Sequence, residues 1–301
     1  MAEFPKDQRM VGASNVNRRP PLVEVFSVRV DDINGEDPGH VYGTIAVTDE
    51  VGPQNLYNRQ WDDPESIRPG HNVLLTGPSR VITADGDVTI DVHLMAREDK
   101  VSQGKEVSRG QIWWNHSDAS HITDKALTQK VPGLHGSATV TYAVLTSAAE
   151  AVVEVVLIDA GGKDRANVYG VIKARNGIGE SELFRKGSSE PADVRPWQLI
   201  RLSRSVVAVP LNSFLVVMAD LCGSDIGEIA NGFAAFLPQQ TGTFEQNIPR
   251  KARCDLCEGH LESRYLKPCA ATDRMRSLVL DLDPIVLCYF HVTFLLVSAT
   301  S

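Results

Sequence analysis

The chain repeats one long pattern of residues, and this repeat limits the possible folds more than any single motif does. The stretch VYG at residues 41–43 recurs at residues 168–170, an offset of 127 positions. The same offset pairs Val25 with Val152, Val28 with Val155, Asp32 with Asp159, Gly35 with Gly162, Leu56 with Leu183 and Tyr57 with Phe184. A shift to 124 aligns Ser79 and Arg80 with Ser203 and Arg204, and Val92 with Val216; a shift to 122 aligns Glu106, Val107 and Gly110 with Glu228, Ile229 and Gly232. Order kept over most of the chain predicts two copies of one structural module.

The repeat also accounts for the pairs Tyr42-Gly43 and Tyr169-Gly170 without any chemistry. An aromatic residue followed by Gly inside a strand is typical of a packing side chain beside a bulge or a close backbone approach. We therefore interpret both pairs as structural.

Each module has the pattern of a set of β-strands. VEVFSVRV (residues 23–30) alternates with period two, and VTIDVHLMA (88–96) and SATVTYAVL (137–145) are rich in β-branched residues. Helical periodicity is scarce, and the one short helix predicted is ITDKALTQK, residues 122–130. The sequence predicts a mostly β fold with two tandem antiparallel sandwiches of C2-like strand order, residues 22–146 and 147–246, after a flexible segment of residues 1–21.

Residues 247–301 are predicted to form an irregular, cysteine-containing tail with an apolar C-terminus. The second module lacks a counterpart of the first module's last strand at the expected place. Residues 285–297, IVLCYFHVTFLLV, either supply that strand late in the chain or leave a sheet edge unpaired. As a helix they would reach roughly 20 Å, too short for a hydrocarbon core of about 30 Å, so no transmembrane span is predicted.

Charge and composition restrict the partners. The formal net charge is −8, so the chain as a whole is not expected to attract nucleic acid phosphates. The first ten residues, MAEFPKDQRM, lack the apolar core of a secretory signal, which favours a cytoplasmic location. Four of the five cysteines lie beyond residue 250, so the main body has no disulfide framework.

Three stretches carry a resemblance to a known family. VEVFSVRVDDINGEDPGHVYGTIAV, LLTGPSRVIT followed by VTIDVHLM, and LSRSVVAVP together resemble an uncharacterised plant domain family that is abundant in grasses. In jasmonate-induced cereal proteins this domain follows a ribosome-inactivating domain. The resemblance covers residues 22–246 and implies a β-rich plant protein linked to stress or defence, and it implies no catalytic residue.

That association makes an rRNA N-glycosylase the enzyme alternative. Such enzymes resemble one another in a helical Glu-x-x-Arg pair that acts on a flipped adenine. Glu65 and Arg68 have this spacing, but Pro69 disfavours a helix there. Glu106 and Arg109 also have it, in a strand-like run where side chains three apart are expected to face opposite sides. No nucleophile elbow, phosphate loop or dinucleotide motif occurs, so the sequence favours a non-enzymatic protein.

Two metal sites are considered. Acidic turns at Asp31, Asp32, Glu36, Asp37, Glu98 and Asp99 lie where a C2-like sandwich would bind calcium, which makes a calcium-dependent membrane-binding module the second alternative. Cys254, Cys257, His260 and Cys269 have ligand types suited to a tetrahedral zinc site. Solvated turns and reduced thiols are the competing interpretations. Apart from this zinc site, no cofactor is predicted, and the function expected is binding of an unidentified protein partner.

Overall fold

The computed structural model describes residues 19–97, 104–115, 117–118, 122–238, 242–248 and 288–295. These residues form nineteen β-strands in four antiparallel sheets. The predicted mostly β fold of two tandem antiparallel sandwiches is confirmed by this strand pairing. In the described part of the chain, no helix has the length and apolar character needed to cross a membrane.

The first module contains two facing sheets. Sheet I has the order β5-β1-β9-β8, and sheet II has the order β3-β2-β6-β7 with β4 also paired to β2. The strands are β1 (Leu22–Ile33), β2 (Gly39–Asp49), β3 (Gly52–Arg59), β4 (Glu65–Ile67), β5 (Ile82–Thr83), β6 (Asp87–Ala96), β7 (Lys105–Asn115), β8 (Leu127–Pro132) and β9 (Gly136–Leu145). Alternate residues of β1, β2 and β6 are buried between the sheets, as their period-two pattern predicts.

The second module repeats this arrangement. Sheet III has the order β14-β10-β19-β18 with β15 paired to β10, and sheet IV has the order β12-β11-β16-β17 with β13 paired to β11. The strands are β10 (Ala148–Leu157), β11 (Ala166–Arg175), β12 (Glu180–Lys186), β13 (Ala192–Val194), β14 (Gln198–Leu199), β15 (Val206–Pro210), β16 (Leu215–Gly223), β17 (Gly227–Phe236), β18 (Gly242–Ile248) and β19 (Cys288–Leu295). The chain passes from β9 to β10 through Thr146 and Ser147.

The last strand of the second module comes from the C-terminal region. β19 lies between β10 and β18, as β9 lies between β1 and β8 in the first module. Residue 246 is therefore not the end of the second module, and the prediction of an irregular tail is wrong for Cys288–Leu295. Of the two alternatives for residues 285–297, the late strand is confirmed. The physical reason is that β10 needs a neighbour on this side, and the apolar Cys288 and Val292 side chains complete the buried core.

The strand registers correct one part of the repeat alignment. Ile45 pairs with Val92 in sheet II, and Ile172 pairs with Ala219 in sheet IV. The offset therefore stays at 127 through β6 and β16, and the alignment of Val92 with Val216 is wrong. The loop that precedes these strands absorbs the shorter offset seen at Arg80 and Arg204. Each module also has a β-bulge at the equivalent position. The register of β6 with β7 shifts after Leu94, and that of β16 with β17 shifts after Leu221.

Gly43 and Gly170 occupy equivalent positions in β2 and β11, with φ values of 121° and 125°. A Cβ atom on Gly43 would collide with the carbonyl oxygen of His93, and one on Gly170 with that of Asp220. The interpretation of the Tyr-Gly pairs as structural agrees with this geometry, because only Gly permits both the left-handed φ and the close approach.

The prediction of a short helix at residues 122–130 is wrong. Asp124 has a φ of 56°, and its carboxylate accepts hydrogen bonds from the backbone N and Oγ1 of Thr146. This turn interrupts the helical pattern, and the residues after it form β8, which pairs with β9. Pairing with the sheet outweighs the weak local helical preference.

Candidate functional site

A buried ion pair joins the two modules. The Nη2 atom of Arg204 lies 2.6 Å from Oε1 of Glu24, and both side chains are buried. The carboxylate also accepts hydrogen bonds from Oγ of Ser181 and from the backbone N of Ala208, and Arg204 Nη1 donates to the carbonyl of Val25. A buried pair with this many hydrogen bonds fixes one relative orientation of its partners.

The equivalent arginine of the first module has a different partner. Arg80 makes two 2.7 Å hydrogen bonds to Asp49 within its own module. Burial alone would raise the pKa of Asp49, but the hydrogen bonds from Arg80 and from the backbone N of Thr83 hold it below its usual value. The position equivalent to Asp49 is Asn176, which is neutral and donates to the carbonyl of Ala208. The second module therefore lacks this internal carboxylate, and Arg204 pairs across the junction instead.

A second, half-buried ion pair crosses the junction. Arg185 in β12 donates through Nη2 to Oε1 of Glu65 at 3.1 Å, and its Nε lies 3.1 Å from Glu182. The backbone N of Leu74 also donates to Glu65. Burial raises the pKa of Glu65, although Leu74 and Arg185 oppose that shift. The junction is thus held at two separate places by arginines of the second module and glutamates of the first.

The charged residues continue from this junction onto the outer face of sheet IV. Lys173 lies beside Glu182 and donates to Oε1 of Glu180 at 2.7 Å, and Arg175 donates to Oε2 of the same carboxylate at 2.6 Å. Burial would raise the pKa of Glu180, but these two cations lower it. A row of alternating charges therefore borders this face of the second module. In this row Glu180 has two cationic hydrogen-bond partners, whereas Oε1 of Glu182 has an ion-pair contact with Arg185 but no hydrogen bond.

A groove of about 530 Å³ lies on the same face. Its lining includes Val171, Lys173, Glu180, Met218 and Phe233. Lys173 pairs with Met218, and Met218 pairs with Phe233, so the three side chains form one row across β11, β16 and β17. Phe233 is 67% exposed. An exposed aromatic side chain beside a methionine and a charged border is the composition typical of a protein-binding surface.

In the first module, the row equivalent to Lys173, Met218 and Phe233 is not apolar. There Ala46 pairs with Asp91, and Asp91 pairs with Gln111. Gln111 Nε2 donates to Asp91 Oδ1 at 2.9 Å, so this row is polar and internally hydrogen-bonded. Sequence reasoning missed the groove, although the alignment at offset 122 already places Phe233 opposite Gln111. The apolar replacement at an outward position was the available signal.

The candidate N-glycosylase pairs are placed differently from a helical catalytic pair. Glu65 lies in β4 and binds Arg185, whereas Arg68 is exposed and lies 3.8 Å from Asp37. Glu106 and Arg109 lie in β7, 3.8 Å apart. The expectation that these two face opposite sides is wrong, because the bulge at Val107 adds a residue between them and returns Arg109 to the same side.

Two of the predicted acidic residues, Asp31 and Asp32, make hydrogen bonds within the first module. Asp31 accepts hydrogen bonds from Arg29 and Thr139, and Asp32 accepts one from the backbone N of Gly35. Glu98 and Asp99 lie outside the described residues. Within the described ranges, no three His, Cys, Asp or Glu side chains are grouped so that they could hold a metal ion.

The predicted zinc ligands Cys254, Cys257, His260 and Cys269 lie outside the described residues. The two described thiols are Cys222 and Cys288. Burial raises the pKa of Cys288 to about 12. Burial, followed by the charges of Asp220 and Glu228, raises the pKa of Cys222. Neither thiol has the lowered pKa that activates a nucleophilic cysteine.

The pairing of the strands and the junction contacts define a protein of two tandem β sandwiches with a fixed interface. The chain belongs to the family whose model is described as "Domain of unknown function (DUF6598)", which matches residues 22–260. Comparison with curated proteins gives no match.

Several solved structures show a distant likeness. The tandem C2A and C2B domains of extended-synaptotagmin 2 share 6% identity, with 98% of this chain and 99% of that chain covered and a TM-score of 0.24. Human GIVD cytosolic phospholipase A2 shares 9% identity, with 90% of this chain covered and a TM-score of 0.25; this chain spans 30% of the phospholipase chain. Likenesses at this level carry no inference about what this chain binds.

Proposed function

We propose that this chain is a non-enzymatic binding protein that holds a protein partner in the groove on sheet IV. The observation that carries the proposal is the row Lys173, Met218 and Phe233, which replaces the hydrogen-bonded polar row of the first module. On the family resemblance, we further propose that it acts inside plant cells in a stress-linked role.

The chemistry of the groove supports a macromolecular partner. Phe233 and Met218 offer apolar surface that a partner's apolar side chain can cover, and truncation of such central anchors commonly costs more than 1 kcal/mol of binding energy. The carboxylate of Glu180 already has two cationic partners, so it orders the border of the groove. The groove is a shallow face of a sheet, which suits a protein surface more than a small enclosed substrate.

The junction supports the same proposal. The Glu24–Arg204 and Glu65–Arg185 pairs hold the modules in one orientation, so the groove does not depend on module movement. Binding to such a preorganised surface loses less conformational entropy than binding to a mobile one.

The experiment compares two full-length variants at equivalent positions. Phe233→Gln gives the groove the residue that the first module has, and Gln111→Ala changes the first module's row as the control. Each protein is immobilised and incubated with a cereal leaf extract, and captured proteins are quantified by mass spectrometry. We expect at least one protein captured by the wild type and by Gln111→Ala to fall about tenfold or more with Phe233→Gln.

That protein is then purified and its affinity for the three chains is measured by calorimetry. A captured set that is the same for all three chains overturns the use of the groove. Phe233 and Gln111 are both exposed, so neither substitution is expected to unfold the protein. Thermal melts of the three chains check that a loss of binding is not caused by unfolding.

A further inference from the structure

A second surface of the second module has no counterpart in the first. Trp197 lies in the turn between β13 and β14, is 74% exposed and has a φ of 64°. A left-handed backbone is unfavourable for a bulky residue, and an exposed indole gains little from packing to offset that cost. Strained residues that are not needed for the fold are concentrated at functional sites.

The first module shows what this turn requires for folding alone. Its equivalent position is Gly70, with a φ of 84°. The equivalence follows from the pairing, since Arg29 bridges to Asn72 in the first module and Val156 pairs with Leu199 in the second. Gly adopts this backbone without strain, so the turn itself does not demand Trp.

The two neighbouring positions have changed in the same direction. Arg29 and Asn72 of the first module correspond to Val156 and Leu199, and Leu199 is 54% exposed. Three positions that are Gly or polar in one module are therefore apolar in the other. Trp197 and Leu199 are exposed, and Val156 is half-buried. Random surface variation does not favour two exposed apolar residues beside a third that is half-buried, and a patch of this kind marks an interaction site.

The turn holds Trp197 in place before any partner arrives. The backbone N of Trp197 donates to the carbonyl of Leu157 at 2.6 Å, and that of Ile200 donates to Val155 at 2.7 Å. The side chain of Gln198 accepts a hydrogen bond from the backbone N of Arg195. The indole is thus presented by a fixed backbone, which lowers the entropy lost on binding.

Charge indicates the kind of partner. Arg195 and Arg201 flank the apolar positions at alternate residues and are exposed. Within the described residues, neither guanidinium has a hydrogen bond or an ion pair, whereas nearby Arg165 pairs with Asp193. Exposed arginines beside a tryptophan are the residues enriched at binding hot spots, and their complement is a carboxylate.

We infer that Arg195, Trp197, Leu199 and Arg201 form a docking surface for a segment of another protein in which apolar side chains alternate with Asp or Glu. A second copy of this chain fits poorly, because a two-fold interface would place these arginines opposite one another. An anionic membrane fits poorly because the chain carries a net charge of −8. This surface is separate from the groove on sheet IV, so the two proposals fail independently.

The test uses a phage library of random twelve-residue peptides, selected on the full-length protein. We expect enriched peptides to combine Leu, Phe or Trp with Asp and Glu, and to bind at least tenfold more weakly to Trp197→Gly. Arg195→Gln with Arg201→Gln is expected to weaken binding and to reduce its dependence on salt, because charge-assisted contacts are lost. Phe233→Gln is expected to leave binding unchanged.

The Trp197→Gly variant also separates function from folding. It is expected to melt no lower than the wild type and above Trp197→Ala, which keeps the left-handed strain without the indole. A library that yields no peptide dependent on Trp197 overturns the inference. So does light scattering that shows a dimer abolished by Trp197→Gly, or Trp197-dependent binding to vesicles of three parts phosphatidylcholine and one part phosphatidylserine with no peptide binding.

Discussion

The guanidinium of Arg204 lies 2.6 Å from the carboxylate of Glu24, although 180 positions separate the two residues in the chain. Each belongs to a different module, and both are buried. The pair connects the modules through charge, whereas the equivalent Arg80 is neutralised by Asp49 within its own module.

Glu24→Ala is expected to lower the free energy of unfolding by about 3–5 kcal/mol, because it leaves the cation of Arg204 buried without a counter-charge. Urea unfolding measures this change. The double variant Glu24→Ala with Arg204→Met is expected to lose less than the sum of the two single variants, since the unpaired charge is then absent. A single-variant loss below about 1 kcal/mol would contradict the role given to this pair.

Glu65→Gln tests the half-buried ion pair of the junction. Burial raises the pKa of Glu65 above the usual 4.5, so the folded state binds this proton more tightly than the unfolded state does. As a result, the contribution of Glu65 to stability falls as the pH rises from 4.5 through its folded pKa. We expect Glu65→Gln to be at least as stable as the wild type at neutral pH.

That advantage is expected to disappear near pH 4.5, where the wild-type carboxyl group is also protonated in the folded state. Urea unfolding of both proteins across this range measures the difference. Asp49 is the opposite case, since its lowered pKa stabilises the fold at neutral pH and that stabilisation is lost as the carboxylate is protonated in acid. A Glu65→Gln variant that is much less stable than the wild type at neutral pH would show that the contact with Arg185 stabilises the fold by more than the burial of the Glu65 carboxylate costs.

Gly43→Ala is expected to destabilise the first module strongly, because a Cβ atom there collides with the carbonyl oxygen of His93. Gly52→Ala is the matched control. Gly52 has a similar φ of 128°, but a Cβ atom there has no neighbour within 4 Å. The control is expected to lose only the cost of the left-handed backbone, about 1–3 kcal/mol, and the difference between the variants is the cost of the collision. Equal thermal midpoints would argue against the close approach at Gly43.

Alkylation of Cys288 tests the late strand β19. Burial and the raised pKa of about 12 keep this thiol neutral and inaccessible in the native protein. Under native conditions at pH 8, iodoacetamide is expected to modify Cys288 at least a hundredfold more slowly than it modifies the urea-unfolded chain. Mass spectrometry of the peptide that contains Cys288 measures the rate. Rapid labelling would mean that β19 is not part of sheet III.

The repeat and its periodicity predict much of the fold, since local spacing records which faces of a strand are buried. The structural role of Gly43 and Gly170 follows from that information. The repeat also offers residues 285–297 as a late last strand, and β19 confirms that alternative. The choice between a late strand and an unpaired edge does not follow from the sequence, because the pairing of β19 with β10 depends on long-range contacts that no local pattern encodes. The ion pair at the junction could not be predicted for another reason. The repeat alignment predicts the same role for Arg204 as for Arg80, and only the change from Asp49 to Asn176 alters that role.

The candidate groove is partly visible in the sequence. The substitution of Phe233 for Gln111 can be read from the repeat, but whether that position faces outward depends on the bulge opposite Cys222. The change at the Trp197 turn can also be read from the sequence, because the offset of 127 aligns Trp197 with Gly70. Its importance rests on the φ value, which no sequence pattern supplies.

The position of β19 has a consequence for the order in which the protein is made. All nine strands of the first module have been synthesised once Leu145 is reached, so that sandwich can close while the rest is still being translated. β10 is synthesised next, but its neighbour β19 is the last of the described strands to be made, after β11 to β18. The nascent second module must therefore keep the open side of β10 from other chains until β19 has emerged, and this is the stage at which a chaperone is most useful.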